Sequence, residues 1–99
     1  MSVYVDNYRR RTCVDGIDAN WSHLLADTDE ELHRFAARLG MRRCWHQHAG
    51  RVTSHYDITD RRRQQAIELG AIEIGYLSAE ARDLVRRKIA ARQIDRNVA

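Results

Sequence analysis

Two stretches of this chain, residues 28–40 and 59–70, carry the same punctuation: a capping side chain, helical apolar spacing, and a Leu-Gly stop that runs straight into strand-like residues. In the first, Thr28 stands three residues before Glu31, the spacing of a capping box, and Asp29 and Glu30 add acids to the first turn. Leu32, Phe35, Ala36 and Leu39 then share one helical face, and Gly40 supplies the stop. In the second, Thr59 or Asp60 can cap a helix that carries Ala66 and Leu69 to Gly70. Two such units constrain the chain to helices layered on a sheet.

The remaining segments fill in that frame. Val3-Tyr4-Val5 is a short β-rich run ending in Asp6, and a second strand fits residues 43–47. Ala71-Ile72-Glu73-Ile74-Gly75-Tyr76 alternates as a third strand, and Ser78 can cap an amphipathic helix over residues 79–95 with Ala81, Leu84, Val85 and Ile89 on one face. Residues 7–20 are polar, contain Gly16 and lack periodicity, so they read as loop. The order β-α-β-α-β-α predicts one α/β domain over residues 1–99, two or three layers deep, with a short, mostly parallel sheet. An antiparallel α+β arrangement is the alternative, because the long loop can hold another strand at residues 21–25. The expected core is Val3, Val5, Leu32, Phe35, Ala36, Leu39, Ala66, Leu69, Ile72 and Ile74.

Composition narrows the class. The 99 residues suffice for one modest hydrophobic core without disulfides. No apolar run approaches the roughly 20 residues of a membrane-spanning helix, and the N-terminus lacks the basic and apolar regions of a signal peptide, so a cytoplasmic protein with no membrane partner is expected. Cys13 and Cys44 form no CxxC pair and show no metal spacing, which fits reduced thiols. Lys88 is the single lysine among 17 basic residues, and the arginines cluster at 9–11, 42–43, 61–63 and 86–87. Arginine suits bidentate contact with phosphate or carboxylate, although a GC-rich codon bias yields the same preference.

Chemistry concentrates at His55-Tyr56-Asp57 and the arginines that follow. At a helix start these side chains would meet unpaired backbone N–H groups and a positive dipole end. In a parallel sheet, strand C-termini and helix N-termini share one edge, which would gather Asp6, His23, Asp27, Gln47, His48, His55, Tyr56 and Asp57 at a rim. Arg62 lies one turn before Ala66 and leans toward the sheet, with Arg61 on the solvated side. Each has a plainer reading. His23 and Asp27 can serve as cap and hydrogen-bond partner, Asp6 can cap a loop, His33 can be a structural histidine beside the apolar stripe, and Trp21 and Trp45 can be core anchors. His46-x-His48 would share one side of a strand but lacks a placed third ligand, and Glu30-x-x-His33 is only half of a paired motif, so no residue is assigned to a metal. Nucleophile-elbow, phosphate-loop, dinucleotide-fingerprint and zinc-protease patterns are absent.

The ordered set Tyr4-Val5-Asp6, Trp21-x-His23-Leu24-x-Ala26-Asp27, Glu31-Leu32-His33-x-Phe35-Ala36-x-x-Leu39-Gly40, Trp45-x-Gln47, His55-Tyr56-Asp57, Arg62 and Ala66-x-x-x-Gly70-Ala71 resembles the bacterial and phage family catalogued as domain of unknown function 4031. The resemblance covers residues 3–74 and implies a small stand-alone domain common in actinobacteria and their phages; it implies no activity. His46 departs from the family, which carries an aromatic at that position, so it is a poor candidate for a shared role.

The function expected is binding of a phosphorylated or nucleotide-like ligand at the rim, with hydrolysis, transfer, or simple sequestration of a host nucleotide signal. Arg62, Tyr56, Gln47, Trp45 and Asp27 would hold the ligand, and His55, Asp57, His23 and Asp6 would do the chemistry; no cofactor is identified. Alternatives are a metal-dependent nuclease built on Asp6, Asp27 and Asp57, and a nucleic-acid-binding or homo-oligomerising module that uses the basic last helix.

Overall fold

The structure, a computed structural model, describes residues 2–98, with side chains through Ile94. Its elements are β1 (Val3–Val5), β2 (Arg10–Val14), β3 (Ile17–Ala26), α1 (Asp29–Arg38), β4 (His46–Gln47), β5 (His55–Thr59), α2 (Asp60–Glu68), β6 (Ile72–Glu73) and α3 (Ala79–Val98). Among the described residues they form one sheet of order β4-β5-β3-β1-β6, with β2 also pairing β3.

The sheet is mixed α/β in content but mostly antiparallel, which corrects the expected mostly parallel order. Only β1 and β6 run parallel; β1–β3, β2–β3, β3–β5 and β4–β5 are all antiparallel. The cause is a hairpin inside the segment read as loop. Asp15 and Gly16 adopt φ values of 50° and 79°, the two left-handed positions of a two-residue turn that joins Val14 directly to Ile17. β3 therefore intervenes between β1 and α1 and becomes the central strand. His55–Thr59, read as the polar start of a helix, is likewise a strand, and it runs directly into α2.

Both internal helices form as their caps require. Thr28 Oγ1 accepts the Glu31 amide at 3.2 Å, and Thr59 Oγ1 accepts the Arg62 amide at 3.3 Å. Gly40 closes α1 at φ 73°, with its own amide on Ala37 and the Met41 amide on Ala36, the two bonds of a Schellman end. Ser78 Oγ accepts the Ala81 amide at the start of α3.

Alternation in β3 and β5 divides the sheet into two faces. Leu24, Ala26, Tyr56 and Ile58 point to the face covered by α1 and α2, where they join Val5, Leu32, Phe35, Ala36, Leu39, Met41, Ala66 and Ala71 in the main core. Val3 packs only at the margin of this core, and Leu69 and Ile72, expected inside, are exposed. The opposite face carries Tyr4 and Leu25, which with Ile74, Ala81 and Leu84 form a second, smaller cluster beneath the first half of α3. No helix among the described residues is long and apolar enough to cross a membrane.

Candidate functional site

The open face between the second cluster and β4 holds a set of polar side chains delivered by two strands and the segment that follows β1. β3 and β5 pair with His23 opposite Asp57, so these two stand side by side, and His55 lies two residues before Asp57 on the same face. Asp6 comes from an interruption between β1 and β2, where Arg9 takes φ 47° and its amide turns to Ser22 Oγ. The Asp6 amide still bonds the His23 carbonyl, while its carboxylate accepts the amides of Tyr8 and His23 at 3.2 and 3.0 Å and the Nδ1–H of His23 at 2.6 Å. It is 3% exposed, and these three donors satisfy it.

The two imidazoles are oriented in the same way. A carboxylate can only accept, so His23 donates from Nδ1 to Asp6 and turns Nε2 toward Asp57, 4.0 Å from Oδ1. A carbonyl can only accept, so His55 donates from Nδ1 to Thr53 O at 2.8 Å and places Nε2 3.3 Å from the same Asp57 oxygen. Burial opposes a charge on His55, but the Asp57 carboxylate and the Thr53 carbonyl outweigh it and raise its pKa. The hydrogen bond from His55 holds the Asp57 carboxyl below the usual carboxylate range against its own partial burial. Tyr8 and Tyr76 stack against His23 at 5.2 and 5.7 Å, and a cleft of about 250 Å³ runs from the cluster beneath Tyr76, Leu77 and the start of α3.

Asp57 also borders a second cavity of about 150 Å³, walled by Trp21, Trp45, Gln47, Cys44 and Arg62. The Arg62 guanidinium lies over the Trp45 ring, 5.4 Å from its centroid, and no carboxylate among the described residues pairs with it. Cys13 and Cys44 are free and exposed.

Most of the residues singled out in the sequence do meet, though on a sheet face and not at a rim. Asp6, His23, His55 and Asp57 form the cluster, and Trp45, Gln47 and Arg62 form the adjoining cavity. Two do not belong. Tyr56 points to the opposite side of β5, 1% exposed, and shares a 2.7 Å hydrogen bond with the half-buried His33 of α1. Asp27 sits at the end of β3, where its carboxylate accepts from Ser2 N, Tyr4 OH and Arg87. His46 and His48 part company as well: His46 stacks on Tyr56, while His48, turned by a φ of 55°, lies against His55. Sequence reasoning missed Arg63, which donates to the Asp6 carbonyl at 2.8 Å and reaches Glu73, and it missed Tyr8 and Tyr76. Arg63 was legible as the neighbour of Arg62 in a capped helix; the tyrosines carried no signal.

The fold and site define a small mixed α/β domain whose open sheet face bears a buried Asp–His pair set against a second His–Asp pair. The chain belongs to the family described as "Protein of unknown function (DUF4031)", whose model matches residues 3–91. That match continues past residue 74, where the resemblance read from the sequence stopped, and takes in the part of α3 that covers the cleft. Comparison with curated proteins and comparison with solved structures each find no match.

Proposed function

We propose that this domain binds a phosphorylated, nucleotide-like ligand in the Trp21–Trp45–Arg62 cavity and presents its phosphate-bearing end to the His23–His55–Asp57 cluster. The observation that carries the reading is the shared wall: Asp57 lines the cavity and is also the group on which both imidazoles converge. Two indoles offer a planar base a stacking surface, commonly worth about 1–3 kcal/mol per base. Arg62 adds a guanidinium with no carboxylate to neutralise it among the described residues, suited to a bidentate hold on phosphate. The cluster is the reacting end, with imidazoles and carboxylates placed to take up and return protons at a phosphorus centre. Hydrolysis and transfer both fit that arrangement; a ligand released unchanged would make the domain a sequestering one. A nuclease site of Asp6, Asp27 and Asp57 fits less well, because the Asp27 carboxylate is occupied by Tyr4 and Arg87 away from the cluster.

The experiment is a titration of intrinsic tryptophan fluorescence with nucleoside mono- and diphosphates, followed by analysis of the recovered ligand. Saturable quenching by nucleotides, absent for the nucleosides, is expected, and Arg62→Ala should weaken it at least tenfold. Arg62→Lys should be nearly as harmful, because an ammonium cannot reproduce a planar fork, and Arg61→Ala should be neutral. No quenching by any nucleotide, or equal loss at Arg61 and Arg62, would overturn the reading.

A further inference from the structure

We infer that His23, His55 and Asp57 form a three-ligand site for a divalent transition-metal ion, oriented by Asp6 and the Thr53 carbonyl and open to the cleft beneath Tyr76. One ligand atom from each of the three lies within 4.8 Å of the other two. Around a tetrahedral zinc ion with bonds of roughly 2.0–2.1 Å, such atoms stand roughly 3.3 Å apart. The separation of His55 Nε2 from Asp57 Oδ1 already has that value at 3.3 Å, and the 4.0 Å between His23 Nε2 and the same oxygen needs only a small side-chain adjustment.

The second observation is independent of the distances. Both Nδ1 atoms are committed as donors, to a carboxylate in His23 and to a backbone carbonyl in His55. Each neutral ring is thereby fixed in the tautomer whose lone pair is on Nε2, and both lone pairs lie toward one carboxylate oxygen. Hydrogen bonding of this kind to the outer nitrogen is what metal-ligating histidines show almost without exception. A lone pair against a carboxylate at 3.3 Å needs positive charge between them, from a proton or from a cation. Because Asp6 is almost fully buried and its remaining bonds go to backbone amides, its role is to hold His23 in position and not to ligate.

Two imidazoles and one carboxylate favour zinc, cobalt, manganese or iron over magnesium or calcium, which prefer all-oxygen sites. Three protein ligands leave at least one position free, as in metal sites that act on a ligand and unlike closed structural ones. The cleft of about 250 Å³ gives that position access. The inference holds whichever ligand the tryptophan cavity takes; with an ion bound, both Nε2 lone pairs are committed, and the ion, not the imidazoles, would act on the phosphate-bearing end.

The test uses the full chain, stripped with chelator and titrated with Zn²⁺, Co²⁺ or Mg²⁺ alone, with no organic ligand present. One Zn²⁺ or Co²⁺ per chain is expected, with Mg²⁺ far weaker, and Co²⁺ should give a visible spectrum of low-coordinate type. His55→Ala and Asp57→Ala should abolish stoichiometric binding. Asp6→Asn should weaken it by about 10–100-fold, the usual effect of altering an outer partner. Arg62→Ala, which bears on the nucleotide reading alone, should leave ion binding unchanged. Absence of a stoichiometric Zn²⁺ or Co²⁺ site in the unaltered chain would overturn the inference, as would wild-type affinity in folded His55→Ala or Asp57→Ala. Should those variants unfold, ¹⁵N resonances of the unaltered chain decide it: Zn²⁺ must shift the Nε2 signals of His23 and His55, and their constancy would refute the site.

Discussion

His23 and Asp57 are direct cross-strand partners in an antiparallel ladder, which puts an imidazole and a carboxylate from distant segments side by side on one face. The pairing makes the site a property of the sheet register. A shift of one residue in β3 against β5 would turn His23 into the core and Leu24 out of it, so the hydrophobic pattern that fixes the register also fixes the chemistry.

Tyr56 should prove structural. Its ring is buried and its hydroxyl bonds the half-buried His33, so Tyr56→Phe removes one part-buried hydrogen bond and touches nothing in the open-face cluster. A loss of about 0.5–1.5 kcal/mol in urea unfolding is expected, with the His23–Asp57 geometry of the folded fraction unchanged in its histidine resonances.

Leu39 and Leu69 precede equivalent glycines but differ in burial, 8% against 40% exposed. Leu39→Ala should cost on the order of 2–5 kcal/mol, and Leu69→Ala less than about 1 kcal/mol. Similar midpoints for the two variants in denaturant would show that the helix-one face has been misassigned.

Arg63 and Arg61 offer a contrast within one helix. Arg63 ties α2 to the Asp6 carbonyl and to Glu73 at the two strands that run parallel, whereas Arg61 is exposed. Arg63→Ala should lower stability by about 1–2 kcal/mol and broaden the histidine resonances of the site, with Arg61→Ala close to neutral. Thermal unfolding of the two, side by side, decides the matter.

Acid should loosen α3 through Asp27. Burial alone would raise its pKa, but bonds from the Ser2 amide, Tyr4 hydroxyl and Arg87 lower it below the ordinary carboxylate value. A folded pKa depressed in this way contributes stability that is complete above the unfolded value, about 3.9, and is lost as pH falls through the folded one. Asp27→Asn should therefore flatten the acid limb of Tm against pH below about pH 4. An unchanged acid limb would mean that Arg87 does not anchor α3 in solution.

How much of this was legible varies by element. α1 and α2 were readable because caps and left-handed glycines act locally, through bonds within a single turn. β2 was not, and β3 only in part, as the alternative strand at residues 21–25, although Asp15-Gly16 is a hairpin-turn dipeptide; the polar side chains of an exposed hairpin hid the strand periodicity of residues 10–20. His55-Tyr56-Asp57-Ile58-Thr59 alternates strictly, yet its unusual side chains suggested chemistry before they suggested a strand. Asp6, His23, His55 and Asp57 could be chosen by type, but their convergence depends on non-local ladder pairing that no local pattern encodes.

Because β6 pairs with β1, Tyr4 opposite Ile72, the last ladder of the sheet joins segments from the two ends of the domain core and carries its largest loop-closure cost. The β2–β3 hairpin closes over two residues and should form on a timescale of about 1–10 μs. During synthesis, Asp6 can thus capture His23 while β5 is still inside the ribosome, so half of the constellation waits for the other half. Severed within residues 48–54, the chain would yield two pieces holding one site histidine each, and restored His23–Asp57 pairing in their mixture would report reassembly of the sheet. The same division that delays completion makes this domain a natural starting point for a split reporter.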